Sequence, residues 1–209
     1  VLGLVEPESS GLGGGAFLVY FDNETKEVTT LDGRETAPLL VKENTFQDID
    51  GNPLKFFDAV VGGKSVGTPG TPALLEEAYK RWGKIEWSLL FKDAINLSNN
   101  GFVISKKLSS SIERSKSSLS KFLNTKTYFL PNDIPLKSGN IHYNKEYAET
   151  LKAFAKKGSK VFYQGFLADD IVSTVNNASI NPGVLSLKDM NNYKVCLLYT
   201  SPSPRDNKA

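Results

Sequence analysis

The residues best equipped for chemistry lie in two stretches near the start of the chain, Glu6-Pro7-Glu8-Ser9-Ser10-Gly11-Leu12-Gly13-Gly14-Gly15 and Leu31-Asp32-Gly33-Arg34-Glu35-Thr36-Ala37-Pro38. Arg34 carries a planar guanidinium fork, which meets a carboxylate through two parallel charge-assisted hydrogen bonds where a lysine cannot. On residue type alone Arg34 is an ordinary loop arginine paired with Asp32 or Glu35. The glycines of the first stretch could cradle an anion with bare backbone N–H groups. A dinucleotide loop, however, follows a strand and opens a helix. Here the glycines precede an apolar run and Ala16 breaks the spacing, so close backbone packing is the better reading.

Three further candidates fall away on inspection. Gly62-Gly63-Lys64-Ser65 ends like a phosphate-binding loop, but Asp58 stands where the leading glycine belongs, and Thr68-Pro69-Gly70-Thr71-Pro72 interrupts any helix after it. His142 is the only histidine and sits near Gly139-Asn140, which reads as a surface position in a polar loop. With one histidine and one cysteine, Cys196 in the suspect C-terminal tail, a zinc site is not expected; a Ser-His-Asp triad would have to use His142, and no G-x-S-x-G elbow accompanies it, so no metal or cofactor is expected.

The elements that must position the Arg34 loop follow from local pattern. Ala16-Phe17-Leu18-Val19-Tyr20-Phe21 is a continuous apolar run, read as a strand buried on both faces. Asp22 to Lys26 supplies turn residues, and Val28-Thr29-Thr30-Leu31 resumes a β-branched strand that delivers Arg34 just beyond the sheet. The middle is helical. Thr71-Pro72 reads as a cap and first turn for a helix with Leu74, Leu75, Ala78, Tyr79 and Trp82 inward and Gly83 at its end. Ser88 reads as the start of a second, with Leu90, Phe91, Ala94, Ile95 and Leu97 inward and Gly101 closing it. Ser105 caps a third, which the spacing of Leu108, Ile112, Leu119 and Phe122 carries onward. Two more helices follow, around Tyr147–Ala155 and Phe166–Val175, and Ser186-Leu187-Lys188-Asp189 forms a capping box with Asp for Glu.

The two ends read as cut. The chain opens on Val1, its one methionine is Met190, and no signal peptide is visible. Cys196-Leu197-Leu198-Tyr199-Thr200-Ser201-Pro202-Ser203-Pro204-Arg205-Asp206 is the in-frame translation of a common transposon-based sequencing adapter; a genuine Ser/Pro-rich linker is the alternative. The expected organisation is therefore residues 1–195 as one domain and 196–209 as a non-native tail. With 25 Lys and Arg against 23 Asp and Glu, the chain shows no electrostatic footprint for nucleic acid. No apolar run approaches the ~20 residues of a membrane span.

The Gly-rich loop entering a strand, the polar hairpin and the Arg-Glu pair after it resemble the start of the γ-glutamyltranspeptidase large subunit. Ser65-Val66-Gly67-Thr68-Pro69-Gly70-Thr71, Gly101-Phe102, Phe162-Tyr163-Gln164-Gly165 and Leu187-Lys188-Asp189-Met190-Asn191-Asn192-Tyr193 continue the resemblance in order, from Leu4 to Val195. It implies an α/β fold, the large-subunit portion of the αββα sandwich of N-terminal-nucleophile hydrolases. It also implies that Arg34 grips the α-carboxylate of a γ-glutamyl donor such as glutathione; Glu35 reads either as the group that orients the guanidinium or as a surface carboxylate. The nucleophile, a Thr freed by self-cleavage, would lie in the small subunit of the same precursor, so no catalytic residue is assigned here. The chain alone would then be inactive and leave a sheet edge and an apolar face unpaired. A periplasmic or extracellular location is implied too. A related acylase with another amide substrate, or a non-catalytic α/β binding module, are the competing readings.

Overall fold

Leu18, Tyr20 and Leu31 decide where the sheet meets its helices. In the computed structural model, which describes residues 1–198, β1 (Ala16–Phe21) and β2 (Val28–Gly33) form an antiparallel hairpin with Leu18 opposite Leu31 and Tyr20 opposite Thr29. Asp22 closes the turn by accepting the Glu24 amide at 2.8 Å. Leu31 is fully buried, and Tyr20 stacks on Trp82 with ring centroids 4.2 Å apart.

One expectation changes here. β1 is not buried on both faces: Phe17, Val19 and Phe21 are 60%, 69% and 54% exposed. Helices cover one side of the hairpin only, so alternate residues of an all-apolar strand point away from them. The result is an exposed apolar sheet face, continued by Val28 on the paired strand.

α1 (Thr71–Trp82) packs Pro72 and Leu74 under that sheet. Its N-cap is Gly70 rather than Thr71, with no side-chain cap. The Gly14 carbonyl takes over the cap's role, accepting from the Gly70 and Thr71 amides at 2.9 and 3.0 Å. The helix expected from Ser88 splits in two: a 3₁₀ turn at Trp87–Phe91, capped by the Glu86 side chain, and then α2 (Lys92–Asn100). Leu90 turns outward in consequence.

β3 (Phe102–Val103) precedes α3 (Lys106–Arg114), which Ser105 caps through the Leu108 amide at 3.0 Å, as the spacing predicts. The chain breaks at Ser115, so Leu119 and Phe122 do not share that helix. β4 (Ile141–His142) pairs with β3 in a separate ribbon. His142 is therefore no loop residue. It is half-buried, its ring 4.4 Å from Tyr128, and burial pushes its pKa down.

α4 (Lys145–Lys157) is capped by Asn144 and ends at Gly158. α5 (Phe166–Asn176) buries Ala168 and Val175, while Phe166 faces outward. α6 (Leu187–Asn192) opens with the expected capping box. Cys196–Leu198, set aside with the tail, form β5 and pair antiparallel with β2, giving the strand order β1-β2-β5. The rest of the expected tail, 199–209, lies outside the described residues. The described residues form a mixed α/β fold, with a three-stranded sheet covered by helices on one face and a separate two-stranded ribbon.

Two apolar clusters hold the helices together. Phe154 is the centre of the larger, with edge contacts to Trp87, Phe91 and Phe162 at 5.3, 4.9 and 5.1 Å. The smaller gathers Phe102, Ile104, Leu108, Ile112 and Leu130. Phe154→Ala should cost ~3–5 kcal/mol in urea unfolding. Val19→Thr combined with Phe21→Thr should shift stability by no more than about 0.5 kcal/mol, yet reduce self-association seen by light scattering.

Candidate functional site

Arg34 stands one residue beyond β2, on a turn that Asp32 closes by accepting the Arg34 amide at 2.8 Å. Asp32 thus serves the backbone and Glu35 serves the side chain. The Arg34 guanidinium lies 3.2 Å from Glu35 Oε2, with the arginine side chain 54% exposed and that of Glu35 31%. No donor meets Oε2 at hydrogen-bonding geometry, although that oxygen is shielded from solvent, so the contact is an ion pair without a good hydrogen bond. The guanidinium carbon is also 6.0 Å from the Phe17 ring centroid, the outer limit of a cation–π contact.

The loop bearing this pair is held by backbone on one side. A Cβ on Gly15 would come within 2.5 Å of Glu35 Oε2 and 2.6 Å of its amide, so only glycine lets the first stretch pass beneath the Arg-Glu pair. That is the packing role read from the sequence. Across the loop, Thr68 donates its amide to the Thr36 carbonyl at 2.9 Å.

On the other side the loop is held from α6. Tyr193 donates its hydroxyl to the Arg34 carbonyl at 2.8 Å, and Asp189 Oδ1 accepts the Leu39 amide at 2.9 Å. One short helix therefore clamps the loop near both ends. Tyr193 is itself stacked on Tyr163, centroids 5.5 Å apart with planes 3° from parallel, and Tyr163 donates to the Pro69 carbonyl at 2.8 Å. Burial, and then the nearby carboxylates of Asp32 and Glu35, push the Tyr193 hydroxyl up to about 12, so it remains a donor at ordinary pH. For Asp189, burial acts to raise the carboxyl, but hydrogen bonds from Ser186 and the Leu39 amide together hold it below the usual carboxylate range. Neither residue stood out as loop support in the sequence. The capping box and the Asn-Asn-Tyr run were visible, but their partners lie more than a hundred residues away.

Arg34 and Glu35 open into a cleft of about 510 Å³, bounded also by Gly13, Phe46, Lys64 and Val66. A volume of this order suits a small molecule. A larger cavity of about 710 Å³ beside Trp82, Trp87 and Tyr147 carries no charged side chain in its lining. Among the described residues no group of three or more His, Cys, Asp or Glu could hold a metal ion, and no helix is long and apolar enough to cross a membrane. His142 lies in the β3–β4 ribbon and lines none of this cleft.

Comparison with known proteins points the same way as the geometry. The family model described as gamma-glutamyltranspeptidase matches residues 1–199. The chain is 37% identical over 196 residues to a glutathione hydrolase proenzyme of Bacillus subtilis subsp. natto, covering 94% of this chain and 33% of that protein. It superimposes on the crystal structure of Helicobacter pylori gamma-glutamyltranspeptidase with a TM-score of 0.87 and 30% identity, covering 94% of this chain and 55% of that one. A cephalosporin acylase from Bacillus halodurans shares the fold, with a TM-score of 0.75 at 21% identity over 95% of this chain and 37% of its own. The chain spans about a third of the length of the curated relatives it matches.

Two measurements check the clamp. Tyr193→Phe should cost ~0.5–1.5 kcal/mol, the net worth of one hydrogen bond, and speed amide exchange in residues 34–39. The depressed Asp189 pKa stabilises the fold above the ordinary carboxyl value, about 3.9, and that contribution is lost as pH falls through the lower folded value. Stability of Asp189→Asn, followed by urea titration, should therefore change less than that of the parent chain below about pH 4.

Proposed function

The chain belongs to the γ-glutamyltranspeptidase family, and on that premise we propose that it carries the donor-carboxylate site of a γ-glutamyl hydrolase or transferase acting on glutathione-like donors. The observation that supports this is Arg34 itself. Its guanidinium is half-exposed into a cleft of small-molecule size, on a loop tied to α6 at Arg34 and Leu39. Glu35 occupies one side of the fork and sets its orientation. The exposed remainder is free to make charge-assisted hydrogen bonds to a substrate α-carboxylate.

In this reading the reaction is an acyl transfer. A threonine hydroxyl attacks the γ-glutamyl carbonyl, its own α-amine takes the hydroxyl proton, and the amide C–N bond breaks as the leaving amine is protonated. Water or an acceptor amine then takes the γ-glutamyl group from the threonine ester. No threonine of this chain is assigned that role. The nucleophile belongs to the small subunit of the precursor, and the exposed face of Phe17, Val19 and Phe21 is where its sheet would pack. The chain alone should release no product from glutathione. We place the working enzyme in the periplasm or outside the cell, as the family resemblance implies.

In the enzyme containing both subunits, Arg34→Ala should weaken donor binding by ~1.5–3 kcal/mol, the scale of a hydrogen bond to a charged group. Lys at 34 should recover only part of it. Steady-state kinetics with glutathione test this: an unchanged donor KM in the Ala variant would overturn the assignment. Turnover of an amide lacking an α-carboxylate, indifferent to Arg34, would favour an acylase of different specificity.

A further inference from the structure

We propose that Lys64 is a second anionic anchor in the Arg34 cleft, selecting γ-glutamyl donors whose leaving group ends in a carboxylate. This rests on the donor-site reading of Arg34 given above. In the sequence Lys64 belongs to a stretch that only ends like a phosphate-binding loop, and the structure gives a second reason against that role. A Cβ on Gly62 or Gly63 would run into the Ile180 or Val175 carbonyl, so this glycine pair packs against other backbone and leaves no room for a phosphate.

The same packing fixes the backbone from which the Lys64 side chain extends. Its amide donates to the Asn181 carbonyl at 2.7 Å, and Asn181 Nδ2 donates to the Asp58 and Val61 carbonyls at 2.7 and 2.9 Å. The Ser65 hydroxyl ties the turn further by donating to the Val60 carbonyl at 2.7 Å. From this anchored turn Lys64 lines the cleft that Arg34 and Glu35 open into. It is half-buried, and among the described residues no carboxylate lies within ion-pair distance of its ammonium.

Charge balance then names the ligand class. The cleft presents two cations and one carboxylate, with the Glu35 charge already committed to Arg34. A γ-glutamyl peptide with a free C-terminus carries two carboxylates and one ammonium, the complementary set. With one carboxylate on Arg34, the other lies at the far end of an extended chain, about 10 Å away for a tripeptide. Lys64 is the other cation lining the cleft, and the proposal assigns it to receive that carboxylate. A mobile ammonium suits this end, where the leaving group must depart, better than a bidentate fork.

Steady-state kinetics of the enzyme containing both subunits at low salt, with glutathione and with glutathione amidated at its glycine carboxylate, test the idea through the donor KM. The parent enzyme should favour the acid over the amide about fivefold, as expected of a partly exposed ion pair, and added salt should erode the difference. Lys64→Met should abolish the preference without raising the KM of the amide, and Lys64→Arg should restore it. Equal KM for acid and amide, a preference that survives in Lys64→Met, or no turnover of glutathione would each overturn the proposal. So would a Lys64-dependent KM for glycylglycine as acceptor, which would assign the lysine to an acceptor. Arg34→Ala separates the two readings. If it raises the KM of the amide while the Lys64 effect is absent, only this proposal fails. If Lys64 sets the preference but Arg34→Ala changes neither KM, the donor-site reading fails instead.

Discussion

Backbone-to-backbone contact among three segments is the constraint on which this structure depends. The glycine loop before β1, the loop after β2 and the stretch from Gly67 to Thr71 meet with glycines at their closest approaches. The Gly14 carbonyl closes the N-terminus of α1, and Thr68 bonds to Thr36 across the site. Buried peptide groups must be paired, and here each segment pairs the groups its neighbours leave open. The Arg34 loop is therefore an extension of the sheet and helix framework, and the support suits the substrate-binding role proposed for Arg34.

That framework is completed from the far end of the chain. α6 is only six residues long, yet Asp189 and Tyr193 reach the loop at Leu39 and Arg34. Asp189 closes its own helix and receives the Leu39 amide with the same carboxylate. A single ionised group thus serves a local cap and a contact across the fold, and loss of its charge would weaken both. Tyr193 depends in turn on Tyr163, so the loop is coupled through two stacked rings to the helical core around Phe154.

The sheet is asymmetric in a way that fits the family's architecture. Leu31 and Tyr20 face α1, while Phe17, Val19 and Phe21 face away from the helices. An apolar face of this kind is a packing surface. Arg34 lies at the edge of that surface, with its guanidinium near the Phe17 ring. In the proposed reading the Arg34 carboxylate site and the face that receives the small subunit are neighbours, and a nucleophile carried by a second sheet would arrive beside the donor.

Local pattern in the sequence determined a good deal: the hairpin that delivers Arg34, the Ser105 cap, the capping box at Ser186 and the helix through Phe154. Each of these is settled by residues within a few positions of one another, where propensity and hydrogen-bond geometry act directly. The same local reading took β1 for a strand buried on both faces, because apolar runs look alike whether both sides are covered or one. It took His142 for a loop residue, since a two-residue strand has no periodicity to detect. It set Cys196–Leu198 aside, though they pair with β2. Tertiary structure alone decided which carboxylate holds the Arg34 guanidinium, that Tyr193 and Asp189 support its loop, and that Lys64 shares its cleft. Glu35 is the neighbour of Arg34, and the folded loop decides only that it, rather than Asp32, meets the guanidinium. The other relations join residues far apart in the chain, and only close packing of the folded backbone brings them within reach.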